Sequence, residues 1–152
     1  MRSRWTALLL VLVLVGLGPR SSAGQGSPQT KSGAVKGALV TNYPNPFNPE
    51  TRITFTVGDY PTCSEPGKRY SVSLNIYNML GSRIAIPQLQ GGTVDVAGGQ
   101  QLTNLTLPCA QFTAYWNGKD MRSRKEVASG VYQYELVVDG RRIDAKKMLV
   151  AK

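Results

Sequence analysis

The fold is decided by the stretch Val127-Ala-Ser-Gly-Val-Tyr-Gln-Tyr-Glu-Leu-Val-Val-Asp-Gly140, which runs on to a basic segment ending at Lys152. Alternate positions in it are aromatic or aliphatic, and this period of two predicts a half-buried strand. Asp139-Gly140 predicts a tight turn, so residues 143–151 are expected to form the second strand of a hairpin. A hairpin in this place is a candidate recognition element. The alternating positions are Tyr132, Tyr134, Leu136 and Val138.

The same alternation recurs upstream. Apolar residues alternate with polar ones over residues 52–57 and 72–77, as expected for strands with one face in the core and one in water. A further strand is predicted over residues 112–116. Residues 78–81 predict a turn that leads to a strand at residues 83–86.

Two segments are less regular. Residues 93–97, between two glycine pairs, predict a short edge strand. Residues 102–107 predict a strand whose alternation slips at Asn104, where we expect a bulge or a register change. No segment keeps a helical apolar period over about ten residues. Short strands separated by Gly- and Pro-containing turns therefore predict an all-β sandwich of two antiparallel sheets.

The first residues have the pattern of a signal peptide. Arg2 and Arg4 precede an apolar run over residues 7–17, and small residues at 21–23 suit signal-peptidase cleavage after Ala23. This run is well short of the roughly 20 residues that a membrane-spanning helix needs, which favours cleavage over anchoring. We predict a signal peptide over residues 1–23, a flexible lead-in over 24–37, one domain over 38–152, and no transmembrane segment after cleavage.

The chain is basic, with a formal net charge of +9. Part of this charge lies in two places, residues 122–125 and residues 141–147, where basic loops can contact nucleic acid, anionic lipid or acidic polysaccharide. The alternative is that they are solvated loops that keep an exported protein soluble. We favour that alternative and expect no nucleic-acid partner, because no aromatic–basic interleaving accompanies the charge.

The chain contains two cysteines, Cys63 and Cys109. An even pair in an exported chain favours one structural disulfide over free thiols. A metal or redox pair is disfavoured because the CxxC spacing is absent and the sequence has no histidine.

The missing histidine also removes the commonest general base. Ser129 precedes Gly130 in a strand-start motif rather than in a nucleophile elbow, and no glycine-rich loop has a phosphate-binding context. We therefore predict that the chain is not an enzyme and has no catalytic residues, cofactor or metal.

Two motifs have a structural interpretation. In residues 42–51 the three prolines predict a stiff, turning entry to the domain, with Phe47 capping one end of the core. In residues 116–120, Trp116 is expected to pack on Tyr132, while Gly118 and Gly130 supply unusual backbone shapes. Asp120 is predicted to cap a turn, because a single carboxylate among basic residues is a poor calcium site.

Five motifs in order carry a family resemblance: NYPNPFNPET at 42–51, LNIYNMLG at 74–81, WNGKD at 116–120, VASGVYQYEL at 127–136 and KKMLVAK at 146–152. Together they resemble the C-terminal sorting domain of the bacterial type IX secretion system, and also the Ig-like domain of the flagellar hook-capping protein. The matching motif positions are Asn45, Pro46, Phe47, Asn48, Pro49, Tyr77, Gly81, Trp116, Gly118, Asp120, Gly130, Tyr132 and Tyr134.

The resemblance implies an Ig-like or fibronectin-III-like antiparallel sandwich of about seven strands, recognised by the outer-membrane secretion machinery. It implies an extracellular or cell-surface destination, with the periplasm as the alternative. It also implies a sorting tail that a partner reads: Lys146, Lys147, Met148, Leu149, Val150 and Lys152.

This sequence departs from the family pattern in three places. Residues 121–126 replace the glycine that usually comes after the WNGKD-like loop, so the hairpin tip is expected to differ. Residues 58–69 and 88–112 are longer than the corresponding connections, and each contains one cysteine, so we expect a Cys63–Cys109 disulfide to join them. Only a short segment precedes the first motif, although sorting domains come after a cargo. The domain is therefore expected to be itself the exported product, or a remnant whose cargo was lost, and the alternative of a misassigned gene start is disfavoured by the signal peptide.

Two alternatives to sorting are also open: an adhesion or structural module that binds a surface polysaccharide or protein, and a hook-capping-like assembly domain.

Overall fold

The computed structural model describes residues 36–152, so the predicted signal peptide and most of the predicted lead-in lie outside the described residues. The described part contains strands and turns and no helix, which confirms the all-β prediction. No helix long and apolar enough to cross a membrane occurs in it. The strands are β1 Gly37–Tyr43, β2 Thr51–Val57, β3 Arg69–Tyr77, β4 Arg83–Ala85, β5 Gln88–Gln90, β6 Leu105–Pro108, β7 Ala110–Trp116, β8 Gly130–Val138 and β9 Arg141–Val150.

The strands form two antiparallel sheets. One has the order β1-β2-β7-β5, and the other has the order β4-β3-β8-β9, with β6 also paired to β3. The resemblance implies about seven strands, whereas residues 36–152 form nine. The shortest of these are β4 and β5, with three residues each, and β6, with four.

The core arises from the alternation in the sequence. In β2, Ile53, Phe55 and Val57 are fully buried, and the ring of Phe55 stacks on Phe112 of β7 with ring centroids 5.7 Å apart. In β8, Tyr134, Leu136 and Val138 are buried in the same way. Strands β2 and β8 thus place every second side chain in the core, where burial of a large apolar side chain contributes about 1.5–3 kcal/mol.

The hairpin predicted at Asp139-Gly140 is present. Both residues have positive φ, 49° and 74°, which matches the right-handed twist of a two-residue β-turn. The second strand begins at Arg141, two residues before the predicted start, because its first residues pair with the end of β8.

Three local predictions need correction. Residues 93–97 form a tight turn, with the Thr93 amide donating to the Val96 carbonyl at 2.9 Å, and the edge strand is instead Gln88–Gln90. The irregularity expected at Asn104 is a left-handed residue with φ 48°, after which β6 begins. Asn75, expected on a solvent face, is buried, and its side-chain oxygen accepts a hydrogen bond from Arg83 at 3.3 Å.

The predicted disulfide is confirmed. Cys63 lies in the connection between β2 and β3, and Cys109 lies between β6 and β7, with Cα atoms 5.6 Å apart. It joins the two enlarged segments, as the departures from the family pattern predict.

Candidate functional site

Three aromatic residues from distant motifs meet at one place, and we call them the aromatic trio: Phe47, Trp116 and Tyr132. The ring centroids of Phe47 and Trp116 lie 5.4 Å apart, and those of Trp116 and Tyr132 lie 6.0 Å apart, both with edge-to-face geometry. Phe47 and Trp116 are buried at 2% and 3% exposure. Such aromatic pairs contribute about 0.5–1.5 kcal/mol beyond their burial, so the trio ties together three motifs of the resemblance.

The proline-rich entry runs beside the end of β9. The Phe47 amide donates to the Leu149 carbonyl at 3.0 Å, and the Ala151 amide donates to the Phe47 carbonyl at 3.1 Å. The side-chain oxygen of Asn45 accepts a further hydrogen bond from the Leu149 amide at 2.9 Å. We call this contact the Asn45–Phe47 clamp. Because it occupies the outer edge of β9 at Leu149 and Ala151, that edge is not open to an added strand there.

The loop of residues 117–129 is shaped by hydrogen bonds from its own residues. The indole nitrogen of Trp116 donates to the Lys119 carbonyl at 3.0 Å. The carboxylate of Asp120 accepts hydrogen bonds from the backbone amides of Ser123 and Arg122, which lower the pKa of Asp120. Asp120 therefore caps a turn, and no cluster of three or more His, Cys, Asp and Glu side chains that could hold a metal is found among residues 36–152.

Gly118 fixes how this loop approaches the proline-rich entry. Its φ is 69°, and a Cβ atom at this position would lie 1.9 Å from the Pro49 carbonyl oxygen. Its own carbonyl accepts a hydrogen bond from the Val127 amide at 2.8 Å. Only glycine fits here, because both the backbone shape and the missing side chain are required.

The other motif residues lie apart from this contact or on its border. Gly81 closes the turn at residues 78–81, and Tyr77 is half-buried next to that turn, where desolvation raises its pKa. Tyr134 is buried in the core, which raises the pKa of its phenol. Gly130 begins β8 with φ 153°. Pro46, Asn48 and Pro49 have exposed side chains.

The predicted sorting tail is largely docked onto the domain. Met148 and Val150 are core residues at 2% exposure. The ammonium of Lys146 donates to the Val40 carbonyl at 2.9 Å, and that of Lys152 pairs with Glu126 at 3.1 Å. Among the tail residues with exposed side chains, Lys152 is already paired with Glu126, so Lys147 and Leu149 are the two that a partner can reach without displacing that contact.

These two residues belong to a small exposed surface, which we call the outer strip: Val131, Lys147 and Leu149. Val131 of β8 lies directly opposite Leu149 of β9, and the two side chains are 39% and 40% exposed. Asn45 and Met148 complete a shallow groove of about 250 Å³ around them. Val131 is absent from the sequence prediction, although its odd position in the alternation of β8 already places it on the outer face.

Comparison with known proteins gives little guidance. No family model matches the chain, and no curated protein matches it. Among solved structures, the chain is similar to the Pseudomonas fluorescens alkylpurine DNA glycosylase AlkC bound to DNA containing an abasic site analog, with a TM-score of 0.46 and 15% sequence identity. The match covers 78% of this chain and 31% of that chain, so this chain spans about a third of the length of the structure it matches.

The prediction that the chain is not an enzyme is contradicted by this match, because the matched protein is an enzyme by its description. We withdraw that prediction. With 15% identity and a TM-score below 0.5, the likeness supplies no argument for glycosylase chemistry in this chain.

Proposed function

We propose that the chain is an exported Ig-like module that carries sorting information for the type IX secretion system. The sequence support is the ordered set of five motifs. The supporting observation in the structure is that four of these motifs meet around the end of β9. Phe47, Trp116 and Tyr132 form the aromatic trio, and the Asn45–Phe47 clamp holds Leu149 and Ala151.

Because the four motifs meet at this place, they act together to position the end of β9. Residues up to 104 positions apart hold the last part of β9 in one geometry, with Leu149 and Lys147 facing outward. A receptor can then recognise a fixed surface rather than a flexible peptide, which reduces the entropy lost on binding. The outer strip offers two exposed apolar side chains for burial and one ammonium for attraction to acidic groups.

Removal of residues 148–152 is a poor test of this proposal. It deletes Met148 and Val150 from the core, so a loss of secretion would not distinguish a missing recognition surface from a destabilised domain. Substitutions on the outer strip avoid this difficulty, because their side chains face solvent.

The test is secretion of a Lys147→Glu/Leu149→Ser double variant by a bacterium that has a type IX system. We expect the variant to accumulate in the periplasm while its thermal unfolding midpoint stays within a few degrees of the parent. The matched control is Lys125→Glu/Val94→Ser, which makes similar chemical changes at two exposed positions outside the five motifs and away from the outer strip, and should be secreted normally. Normal secretion of the outer-strip variant would refute the proposal.

A further inference from the structure

The outer face of the four-stranded sheet carries a groove that lies apart from the outer strip. Two depressions, of about 310 Å³ and about 490 Å³, adjoin each other and share Gln88 and Tyr115 in their walls. Each of the two volumes, and also their sum, lies within the range found for small-molecule binding sites. We call the combined feature the sheet groove.

The floor of the sheet groove is a row of polar side chains fixed by strand register. Arg52 pairs with Tyr115, Tyr115 pairs with Gln88, and Gln88 forms a bridge with Gln101. Because directly opposed residues on neighbouring strands point to the same face of a sheet, these four side chains lie side by side. The row thus presents two carboxamides beside one phenol ring, on backbone that the sheet holds rigid.

Neighbouring contacts orient the ends of this row. The Arg52 guanidinium donates to the side-chain oxygen of Gln90 at 3.1 Å. The Tyr115 hydroxyl donates to the Glu50 carboxylate, and this hydrogen bond raises the pKa of Tyr115. Glycines at residues 91, 98 and 99 form part of the wall of the larger depression, and this part of the wall carries no side chains.

One end of the sheet groove is cationic. Lys119 and Arg124, both exposed, line the smaller depression. Their backbones are fixed, since the Lys119 amide donates to the Asn117 side chain at 3.1 Å and the Arg124 amide donates to the Asp120 carbonyl at 2.8 Å. Within residues 36–152, neither side chain takes part in an ion pair.

An acidic residue also lies at this end, but its charge is already engaged. The Asp120 carboxylate accepts the backbone amides of Ser123 and Arg122. The two positive charges of Lys119 and Arg124 therefore outnumber the one negative charge of Asp120, which already accepts hydrogen bonds from the backbone. The side-chain nitrogens of Lys119 and Arg124 are available to a ligand. A guanidinium and an ammonium that line the same depression suit a carboxylate, which accepts charge-assisted hydrogen bonds from either group.

We propose that the sheet groove binds an acidic saccharide, with a uronate carboxylate at Lys119 and Arg124 and sugar hydroxyls at Gln88 and Gln101. Carboxamides suit hydroxyl groups because they donate and accept hydrogen bonds at once. The phenol ring of Tyr115, at the junction of the two depressions, provides a flat apolar surface for a sugar ring. This binding site is independent of the outer strip and of the proposed sorting role.

Two other ligand classes fit the groove less well. Single-stranded nucleic acid requires several aromatic platforms on which successive bases stack, whereas the groove offers one half-buried phenol. An acidic peptide gains most of its affinity from a free sheet edge or from apolar pockets, and the floor of the groove is polar.

The test is calorimetric titration of the purified protein with trigalacturonate, with the neutral trisaccharide galactotriose as a comparison. We expect the acidic sugar to bind at least about tenfold more tightly than the neutral one, because only its carboxylates can accept charge-assisted hydrogen bonds from Lys119 and Arg124. This preference should weaken in about 0.5 M NaCl, because salt screens the attraction between exposed charges.

Three variants locate the binding. Lys119→Gln/Arg124→Gln should lose the preference for the acidic sugar, and Gln101→Ala should weaken both sugars about equally. Lys147→Gln, on the other sheet, should bind as the parent does. The proposal is overturned if neither sugar binds, if the three variants behave alike, or if a glutamate oligopeptide or an oligothymidylate binds as tightly as trigalacturonate.

Discussion

Two long connections of the molecule are held in different ways. Residues 58–68 join β2 to β3, and residues 117–129 join β7 to β8. The first connection is tied to the rest of the domain by the Cys63–Cys109 disulfide. The second has no cysteine and depends on the indole of Trp116, the carboxylate of Asp120 and its own backbone amides.

The glycine near the start of each connection illustrates the effect of this difference. Gly58 and Gly118 have nearly the same backbone shape, with φ 73° and 69°. A Cβ atom on Gly58 would meet the side chain of Cys109 at 2.9 Å, whereas one on Gly118 would meet a backbone carbonyl at 1.9 Å. A disulfide holds its connection whatever the other residues of that connection are, so their sequence can vary. A connection held by close packing and hydrogen bonds depends on its particular residues, and this accounts for the recognisable motif at residues 116–120.

The largest effect is expected at Gly118. Gly118→Ala should lower the free energy of unfolding by about 4 kcal/mol, because a left-handed alanine costs about 1–2 kcal/mol and the backbone must also move away from Pro49. Gly91→Ala is the matched control, with φ 69° and no atom within 4 Å of the added Cβ, and it should cost only the first part. Denaturant unfolding of both variants measures the difference. Equal losses would mean that the contact with Pro49 is unimportant.

A smaller loss, about 3 kcal/mol, is expected when the disulfide is removed. In Cys63→Ala/Cys109→Ala, the unfolded chain regains the freedom of a loop that spans 46 positions. Amide hydrogen exchange should increase within residues 58–68 and stay unchanged at Asp120 and Val127. Reductant should destabilise the parent and leave the variant unaffected. Faster exchange in both connections would show that the two are not held independently.

The smallest effect is expected on acidification. The Ser64 hydroxyl is the main cause that lowers the pKa of Asp59 to about 2, and backbone amides lower that of Asp120. Because folding lowers these pKa values, the charged carboxylates favour the folded state. The contribution of Asp59 is complete above about pH 4 and is lost as the pH falls towards about 2, and that of Asp120 is lost in the same direction, as the pH falls below the ordinary range of an aspartate.

Two substitutions separate the two carboxylates. Asp59→Asn should speed amide hydrogen exchange at Ser64. It should also reduce the decrease in the free energy of unfolding that the parent shows as the pH is lowered. Asp120→Asn should speed exchange at Arg122 and Ser123 instead, and each variant is the control for the other. An unchanged acid limb in both variants would contradict the assignment of acid sensitivity to these groups.

The strands that could be predicted from the sequence are those whose two faces differ. In β2 and β8 the alternation alone identifies Ile53, Phe55, Leu136 and Val138 as core residues, because burial enforces a period of two. Strand β5 has one apolar residue, Leu89, and exists because β7 offers it hydrogen bonds. Residues 93–97 have the better local pattern but no neighbouring strand, so they form a turn.

The candidate sites were predictable to different degrees. The packing of Trp116 on Tyr132 could be predicted from two large aromatic residues at adjoining strand ends. The Asn45–Phe47 clamp could not be predicted, since its hydrogen bonds join groups about a hundred residues apart. At position 149 they use the backbone amide and carbonyl, so the residue type there gives no sign of them. The sheet groove was also missed, because Tyr115, Gln88 and Gln101 become neighbours only through strand register.

The Asn45–Phe47 clamp also sets an order of events during synthesis. Asn45 leaves the ribosome 104 residues before Leu149, an interval of about 5–20 s at ordinary elongation rates. Until β9 emerges, Phe47 has only part of its packing surface, and the edge of β8 that β9 will occupy is unpaired. The domain therefore cannot complete its fold before β9 is made. That delay keeps the chain competent for any export step that requires an unfolded substrate.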